Sequence, residues 1–565
     1  DRAGLRDLTK TYQRFTGDRN TFREVAYESR RLIFRVAMSS ELQLLAHRIN
    51  RISERHRRTR DFTLNSLRIA LREILTCFPV YRTYIHEGRL SDRDRQMVQR
   101  AVAQAKRRNP ARDAAVFDFI RDVLLMQQPP NLDEAGHSER DLFIGRFQQV
   151  TSPLVAKGIE DTAFYVHFPL VSLNEVGGDP DKGVGTMAEF HHDNSERLLA
   201  RRGSLVATTT HDTKRSEDVR ARINVLSEVP QQWRTALNRW ARLNRRFRRE
   251  VDGLPAPSRN DEYLLYQILV GAWPLESLPK GPLSAEFVER IQNYMEKATH
   301  EAKRRTSWIS PNAEYDAATR DFVAAVLNET PKNRFLADFR SFVDGLIDWG
   351  LYSALSQTLL KLTAPGVPDI YQGQEIWEFL LVDPDNRRPV DFQRRRALLQ
   401  EVKAAVRGGG EQRLALIREL AAYPRDPRLK LLVTWETLQF RRRNPELFQN
   451  GQYEALAAQG RANEHVCAFA WRRMLVDEGR EQVAVVIAPR LFARLALAAA
   501  ASESETPASP PLPLGEVWGD TRLNLASLGS HRFFNLFTGQ TCALENDHLR
   551  LADALRDFPV ALLTN

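Results

Sequence analysis

A short polar segment, residues 211–215 (HDTKR), places an imidazole, a carboxylate and two cationic side chains close together in the chain. Such a group could hold the hydroxyls of a polyhydroxylated ligand. The carboxylate could also stabilise the positive charge that develops on a sugar ring when a glycosyl group is transferred. The candidate side chains are those of His211, Asp212, Lys214 and Arg215.

The residues on either side of this segment predict a strand, a turn and a helix. Residues 205–210 (LVATTT) are rich in β-branched side chains, which suit a buried strand. Ser216, followed by Glu217 and Asp218, is typical of the start of a helix. In a (β/α)8 barrel the residues just after a strand line the mouth of the active site, so this βα unit would place Asp212 there.

A structural interpretation of the same residues is also open. Asp212 could cap the helix that follows, and its charged neighbours could form a solvated cluster of ion pairs. The local pattern favours neither interpretation. The neighbours in question are Lys214, Arg215, Glu217 and Asp218.

Length and composition bound the remaining possibilities. A chain of 565 residues, 42% of them hydrophobic, predicts about two to four domains with buried cores. The net charge of +10 is spread along the chain, with acidic residues beside the basic ones, so we do not expect nucleic-acid binding. Only 12 of the 82 basic residues are lysines, and the arginines follow no motif.

The cysteines and the apolar runs indicate the compartment. Cys77, Cys467 and Cys542 lie far apart and show no metal-ligand spacing, which favours a reducing compartment and predicts no metal site. No apolar run reaches the roughly 18 residues of a membrane span, and no signal peptide opens the chain. We therefore expect a soluble, cytoplasmic protein that does not bind membranes.

Hydrophobic periodicity and the strand–turn–helix unit predict an α/β fold: strands of a (β/α)8 barrel with large α-helical insertions, followed by a small all-β sandwich. One helix face in the first insertion is marked by Leu64, Leu67, Leu71, Ile74 and Leu75. The predicted segments are a helical subdomain inserted in the barrel (1–150), barrel strands with active-site loops (151–225), a second helical insertion (226–332), the end of the barrel (333–445) and a C-terminal β domain (446–565).

Two further strands are predicted beside polar clusters. Residues 162–168 predict a strand after a turn that carries Lys157, Glu160 and Asp161, which could hold hydroxyls or could form a buried ion pair. Residues 369–372 (DIYQ) predict another strand after a turn fixed by prolines.

Three other patterns lead to weaker predictions. Tyr81 and Tyr84 could line a sugar site, although core packing explains two aromatic residues better. Residues 394–420 predict a helical stretch. Residues 501–513, rich in Ser, Glu and Pro, predict a disordered loop within the β domain.

Four segments carry a resemblance to a known family. They are 157–165 (KGIEDTAFY), 173–180 (LNEVGGDP), 210–222 (THDTKRSEDVRAR) and 368–377 (PDIYQGQEIW). Over nearly its whole length, the chain resembles the maltooligosyl trehalose synthases, a family of the α-amylase superfamily. The wider superfamily shares a His-Asp pair at this barrel strand, whereas the continuation KRSEDVR resembles the synthases specifically.

The resemblance implies an intramolecular transglucosylation, which turns the reducing-end α-1,4 bond of a maltooligosaccharide into the α,α-1,1 bond of trehalose. It implies a retaining mechanism without a cofactor. Asp212 would be the third acidic residue, which holds the hydroxyls of the distorted sugar, and His211 would assist it. Lys157 would lie in the acceptor part of the site. Further substrate-binding residues would be Glu160, Asp161, Lys214 and Arg215. The implied pathway partner is a maltooligosyltrehalose trehalohydrolase.

The chain departs from the family pattern in one respect. In the family the nucleophile and the acid/base lie on earlier barrel strands, and we find neither motif in residues 1–565. About five barrel strands would be absent, and the chain begins at Asp1 without a Met. Either it is the C-terminal portion of a longer enzyme, or it is a separate gene product that has lost catalysis. In both cases we expect the isolated chain to be inactive.

Two other functions remain open. The His-Asp loop alone would also suit an α-glucan hydrolase or debranching enzyme of the same superfamily, which would raise the number of reducing ends where a synthase lowers it. The missing nucleophile would suit a noncatalytic glucan-binding protein. An in-frame upstream continuation with two more catalytic carboxylates would favour a fragment, and a stop codon there would favour the binding protein.

Overall fold

The computed structural model describes residues 1–86, 88–127, 133–475, 479–502 and 512–565. Within these residues, no helix combines the length and the apolar character needed to cross a bilayer. The fold is mostly helical with small regions of sheet.

The α-helices are, in chain order, α1 (Arg2–Thr16), α2 (Phe22–Val36), α3 (Ser39–Glu54), α4 (Leu64–Thr76), α5 (Asp92–Arg108), α6 (Ala114–Leu124), α7 (Glu134–Val155), α8 (Met187–Ala200), α9 (Glu217–Asn224), α10 (Pro230–Asn244), α11 (Arg259–Ala272), α12 (Ala285–Ala302), α13 (Ala313–Val326), α14 (Arg334–Thr363), α15 (Phe392–Arg407), α16 (Gly410–Ala422), α17 (Arg428–Arg443), α18 (Pro445–Asn450), α19 (Phe492–Ser502) and α20 (Leu551–Ala554).

The strands are β1 (Leu205–Val206), β2 (Arg249–Val251), β3 (Leu254–Ala256), β4 (Val367–Pro368), β5 (Gln452–Leu456), β6 (Ala458–Gln459), β7 (Val466–Leu475), β8 (Arg480–Pro489), β9 (Arg522–Asn524), β10 (Arg532–Asn535), β11 (Thr541–Ala543), β12 (His548–Arg550) and β13 (Ala561–Thr564).

The chain divides into two compact units. The smaller one, which we call the helical unit, consists of Arg19–Phe168 and Lys297–Ala313. The larger unit consists of Asp1–Asp18, Pro169–Glu296 and Glu314–Asn565. The division into five segments that the sequence suggests stays a prediction.

The helical unit has its core among α2 to α7. Helix α4 begins after Thr63, whose hydroxyl accepts the backbone N–H of Ser66 at 3.2 Å. The predicted apolar face of this helix is confirmed, because four of its five members are completely buried while Leu64 packs against the same core. The four are Leu67, Leu71, Ile74 and Leu75.

The larger unit is organised around α14, a helix of 30 residues. It packs closely against α9, the helix that follows the HDTKR loop. A Cβ atom on Gly350 would lie 2.8 Å from the Cα of Arg222, so glycine is needed where these two helices cross.

The C-terminal part of the larger unit contains two antiparallel sheets, with strand orders β11-β10-β13-β8-β7-β5 and β12-β9-β6. Strands β7 and β8 pair from Val466 opposite Pro489 to Leu475 opposite Arg480. Residues 446–565, predicted as a β domain, contain strands β5 to β13. The indole of Trp471 donates to the carbonyl of Thr363 at 2.8 Å and so fixes the larger sheet to the end of α14.

Two local strand predictions need correction. Residues 162–168 form no strand: a π turn at Ala156–Glu160 and a 3-10 turn at Ala163–Tyr165 replace it, because the Thr162 hydroxyl bonds the carbonyl of Lys157 at 2.7 Å and closes a turn. The strand expected at 369–372 is β4, two residues earlier. The helical stretch predicted at 394–420 is confirmed and consists of two helices, α15 and α16, separated near Gly409.

The segment predicted as the second helical insertion also contains the hairpin of β2 and β3, which follows α10. Of the loop predicted at 501–513, α19 includes the first two residues, and 503–511 lie outside the described residues.

Candidate functional site

Two short parallel strands place the loops that follow them at one edge. In the ladder of β1 and β4, Leu205 lies opposite Val367, and the backbone N–H of Asp369 donates to the carbonyl of Val206 at 2.9 Å. The HDTKR loop follows β1, and the PDIYQ segment runs on from β4. The predicted strand is shorter than expected and not buried, since Leu205 is 71% exposed.

Arg220 joins the two ends of the HDTKR loop. One guanidinium nitrogen donates to the carbonyl of Arg215, and another donates to the carbonyl of Thr208. The same guanidinium lies 3.3 Å from a carboxylate oxygen of Glu175. A single side chain from the first turn of α9 thus fixes the chain just before and just after the loop.

The carboxylate of Glu175, from the LNEVGGDP segment, holds the loop from the other side. One oxygen accepts the backbone N–H groups of Lys214 at 2.6 Å and of Val176 at 2.9 Å. The other accepts the N–H of Arg215 at 3.1 Å. Charge-assisted bonds of this kind are the strong ones in proteins, so the loop backbone has little freedom.

Asn386 supports the tip of the loop. Its buried amide donates to the carbonyl of His211 at 3.1 Å and approaches the carbonyl of Thr213 at 3.4 Å. The backbone carbonyl of Asn386 accepts the Tyr371 hydroxyl at 3.0 Å, and Tyr371 belongs to the PDIYQ segment. The predicted second polar segment therefore does lie beside the first one.

The tip of the loop exposes two side chains. His211 and Asp212 are both exposed, and the N–H of Asp212 donates to the Thr210 hydroxyl at 3.3 Å. Among the residues that the structure describes, the Asp212 carboxylate makes no hydrogen bond or ion pair. The backbone of Asp212 is held by the loop, and its carboxylate oxygens are open to a ligand.

Lys214 and Arg215 lie on the opposite side of the backbone and are buried, 4% and 1% exposed. The Arg215 guanidinium donates to the Tyr294 hydroxyl at 3.1 Å and to the carbonyl of Asn174. The structure thus shows Arg215 bound to protein atoms. Substrate contact by these two residues stays a prediction.

The structural interpretation of the loop is wrong in its two main points. Ser216, not Asp212, precedes α9, and the Ser216 hydroxyl donates to the carbonyl of Glu378 at 2.8 Å. Glu217 and Asp218 are not solvated, because both are completely buried.

Their partners are two buried lysines from distant helices, and we call these four residues the lysine–carboxylate cluster. Lys430 lies 2.9 Å from Glu217 and 2.8 Å from Asp218. Lys361 lies 2.8 Å from Glu217. Since Glu217 also accepts the hydroxyl of Thr208, the cluster reaches the chain where the loop begins.

Burial and charge act against each other in this cluster. Burial alone raises the pKa of Glu217, but Lys430 and Lys361 outweigh it and hold that pKa well below the usual range. For Asp218 burial prevails over the attraction of Lys430, and its pKa is raised. Burial would lower the pKa of Lys430, but the two carboxylates together raise it.

The predicted residues Lys157, Glu160 and Asp161 belong to the helical unit. The Lys157 ammonium lies 2.8 Å from the Asp161 carboxylate, and Lys157 keeps 62% of its side chain exposed. The ion pair of this turn is therefore not buried: Lys157 is exposed and Asp161 is half-buried. Glu160 is buried, and its carboxylate accepts the hydroxyl of Tyr81.

The sequence of this turn is constrained by a close approach. A Cβ on Gly158 would lie 2.4 Å from the Cγ of Arg30, so the π turn packs directly against α2. The core-packing explanation of the two tyrosines is wrong, since Tyr81 is 41% exposed and Tyr84 is 66% exposed.

The geometry brings the predicted residues together in two groups. His211, Asp212, Lys214 and Arg215 form one braced loop in the larger unit, and Lys157, Glu160 and Asp161 share one turn in the helical unit. Within the described residues, no group of three or more His, Cys, Asp or Glu side chains could hold a metal ion.

Comparison with known proteins agrees with the motifs. No protein-family model matches the chain. Proteins named as maltooligosyl trehalose synthases in two strains of Mycobacterium tuberculosis are 38% identical over 325 residues. The solved structure of maltooligosyltrehalose synthase from Arthrobacter ramosus superposes with a TM-score of 0.76 at 31% identity. This chain resembles the maltooligosyl trehalose synthases.

A further solved maltooligosyl trehalose synthase gives a TM-score of 0.67 at 26% identity and covers 99% of this chain. The lengths differ. The match to the Mycobacterium proteins covers 57% of this chain and 37% of theirs. The Arthrobacter match covers 100% of this chain and 61% of that synthase.

Several residues that hold the synthase-like loop were not recognised from the sequence. Glu175 and Arg220 stand in the quoted motifs, so their position in a motif was the available signal. Lys361 and Lys430 are two of only 12 lysines in an arginine-rich chain, and a lysine within an apolar helix was the signal there. No sequence pattern marked Asn386 as a residue that holds the loop.

Proposed function

We propose that this chain contributes to a maltooligosyl trehalose synthase, an isomerase that converts the reducing-end α-1,4 bond of a maltooligosaccharide into an α,α-1,1 bond. The observation that carries the proposal is the exposed Asp212 carboxylate on a loop that the surrounding residues hold rigidly, in a chain that resembles these synthases. The reaction is inferred from the resemblance, and the Asp212 carboxylate is a group that suits this reaction.

The proposed architecture is the C-terminal part of an α-amylase-type (β/α)8 barrel with helical insertions, followed by a β sandwich. The parallel pair of β1 and β4 supports the barrel, because parallel strands followed by polar loops are its defining feature. The two antiparallel sheets at the C-terminus support the sandwich.

The proposed role of Asp212 follows from its setting. Glycosyl transfer passes through an oxocarbenium-like transition state, in which the sugar ring gains positive charge. A carboxylate fixed by its backbone needs no reorganisation to stabilise that charge, so it lowers the barrier more than it strengthens binding. His211, next to it on the exposed tip, would bind the hydroxyls of the same sugar.

The proposed reaction also needs groups other than Asp212 and His211. A retaining mechanism requires a nucleophile and an acid/base whose carboxyl groups lie about 5–5.5 Å apart, and we assign neither role to a residue of this chain. Lys157 would bind the acceptor sugar, with Glu160 and Asp161 as further binding residues. Lys214 and Arg215 would act beside Asp212.

The proposed setting is trehalose synthesis in the cytoplasm, without a cofactor. A synthase of this kind leaves a trehalosyl end on an α-glucan. A hydrolase that cleaves next to that end, a maltooligosyltrehalose trehalohydrolase, would be the partner that releases trehalose.

The test is the product formed from maltopentaose. The chain is incubated with maltopentaose alone, and then together with whatever polypeptide its reading frame encodes upstream of Asp1. We expect no product from the chain alone, and loss of reducing ends with little free glucose in the combined reaction. A rise in reducing ends would show a hydrolase, and binding of maltopentaose without any conversion would show a glucan-binding protein.

A further inference from the structure

The helical unit presents one exposed apolar pair. Trp308 is 54% exposed and its neighbour Ile309 is 73% exposed. Of the tryptophans that the structure describes, Trp308 alone is exposed. Leaving a large aromatic surface in water is unfavourable, and such surfaces often mark binding sites.

The indole of Trp308 is held in place. Its ring nitrogen donates to the carboxylate of Glu301 at 3.1 Å. The imidazole of His300 packs against it, with the ring centroids 4.4 Å apart and the planes inclined by 62°. Two neighbours on α12 therefore fix the orientation of a side chain that still leaves half of its surface free.

The backbone that carries Trp308 is fixed as well. The N–H of Asn312 donates to the Thr306 hydroxyl at 3.0 Å, and the Thr306 hydroxyl lies 3.2 Å from a ring nitrogen of His300. The N–H of Ser310 donates to the Ser307 hydroxyl at 3.0 Å. Binding to this surface would cost little ordering of the protein.

One lysine joins this surface to the KGIEDT turn. The Lys303 ammonium donates to the carbonyl of Asp161 at 2.9 Å and to the Thr162 hydroxyl at 3.1 Å. It also lies 3.1 Å from the carboxylate of Glu301, the residue that orients the indole. Trp308 and the ion pair of Lys157 and Asp161 therefore belong to one connected surface of the helical unit.

We propose that Trp308 is a stacking platform for a glucose ring of an α-glucan. A glucopyranose ring presents a flat face of C–H groups, which an indole covers well, while its hydroxyls point outwards to polar groups and water. Lys157 and Asp161 supply such polar groups. The chemical identity of the sugar rests on the function proposed above, and the platform itself rests on the exposed, oriented indole.

The experiment uses maltoheptaose as the probe and calorimetry of the whole chain as the readout. Trp308→Ala should weaken binding about tenfold, and Trp308→Phe, which keeps an aromatic face, should weaken it only two- to threefold, roughly. Tyr423→Ala is the control, because Tyr423 is 59% exposed and lies in the larger unit. It should leave the affinity unchanged.

A second measurement does not depend on the stability of the variants. The chain is labelled with 5-fluorotryptophan, and the fluorine resonance of Trp308 is identified by its loss in Trp308→Phe. Maltoheptaose should shift this resonance more than those of the buried tryptophans. No shift, an affinity of Trp308→Ala equal to that of Tyr423→Ala, or no binding of maltoheptaose by the unaltered chain would each overturn the platform.

These outcomes can be separated from failure of the proposed function. If maltoheptaose binds at Trp308 but no trehalose-ended product forms in the combined reaction, the platform stands and the synthase assignment fails. If product forms and Trp308→Ala changes neither the binding nor the KM, the synthase assignment stands and the platform fails.

Discussion

The two motif segments expected to bind sugar are held in place by different means. The HDTKR loop of the larger unit is fixed by charged side chains, chiefly Glu175 and Arg220, above a completely buried lysine–carboxylate cluster. The KGIED turn of the helical unit is fixed by a π turn and by the close approach of Gly158 to Arg30. In the charged pair of this turn, Lys157 is exposed and Asp161 is half-buried.

The difference shows how to interpret charged residues in such motifs. In the loop Lys214 and Arg215 are buried. The side chains of His211 and Asp212 are exposed. In the turn the backbone is held by packing, and Lys157 keeps 62% of its side chain exposed. Residues of one type therefore differ in setting between the two motifs: Lys157 is exposed, whereas Lys214 is buried.

The largest expected effect comes from removing a charge from the lysine–carboxylate cluster. Lys430→Met leaves Glu217 and Asp218 with only Lys361 in a completely buried setting. Breaking a buried ion pair by removing one partner costs about 3–5 kcal/mol. We expect a loss of that size in the free energy of unfolding, measured by urea denaturation.

Lys280→Met is the matched control, because Lys280 is exposed. It should change the free energy of unfolding by less than about 0.5 kcal/mol. If Lys430→Met costs no more than this control, the cluster does not hold the loop and the comparison with the turn fails.

A buried carboxylate outside the lysine–carboxylate cluster, that of Glu228, should make the stability of the protein depend on pH. Burial raises the pKa of Glu228 to about 7, although it accepts the N–H groups of Ala493 and Arg494 at the start of α19. A raised carboxyl pKa means that the folded state holds the proton longer. Stability should therefore fall as the pH rises from the unfolded value of 4.5 to about 7.

Glu228→Gln should flatten this dependence by up to about 1.4 kcal/mol per pH unit, measured by urea denaturation between these two pH values. The exposed Glu411→Gln should not change it. An unchanged slope in Glu228→Gln would show that the carboxyl titrates normally in the folded protein.

A smaller loss is expected when the turn of the helical unit is overpacked. Gly158→Ala places a methyl group 2.4 Å from the Cγ of Arg30, and forcing such a contact costs about 1–3 kcal/mol. Gly145→Ala, in α7 with no atom within 4 Å of the new methyl, is the control and should stabilise the helix by about 0.5–1 kcal/mol. Equal effects of the two variants on the thermal midpoint would contradict the close approach.

The smallest effect on stability is expected for Lys157→Ala. Its ion pair with Asp161 contributes less than about 1 kcal/mol, because water screens it. Binding of maltoheptaose, measured by calorimetry, should weaken nonetheless. A large loss of stability would place Lys157 among the residues that hold the turn, against the comparison drawn above.

The sequence predicted much of the fold and a defined part of the site. The face of α4, the long α14 and the C-terminal strands follow from local hydrophobic patterns, so periodicity was sufficient. It failed at 162–168, where a hydroxyl closes a turn, and at 369–372, where the ladder with β1 decides the strand. The ladder joins distant segments, and the bond of the Thr162 hydroxyl, although it spans only five residues, produces no hydrophobic periodicity.

Within the site, the sequence located the loop but not its supports. Lys361 and Lys430 lie 144 and 212 residues from the carboxylates they bind. Their pairing depends on how α14 and α17 pack, which short-range patterns do not encode. The exposed state of His211 and Asp212, and the burial of Lys214 and Arg215, depend on the same packing.

The most direct test of the account is Asp212→Asn in the polypeptide that forms trehalose-ended product. The exposed carboxylate should be dispensable for folding, so the free energy of unfolding should stay within about 0.5 kcal/mol of the unaltered protein. Turnover of maltopentaose should fall about 100- to 1000-fold, with a much smaller change in KM. A drop of less than about tenfold, or a marked loss of stability, would contradict the claim that the loop is held rigid to present Asp212 to the sugar.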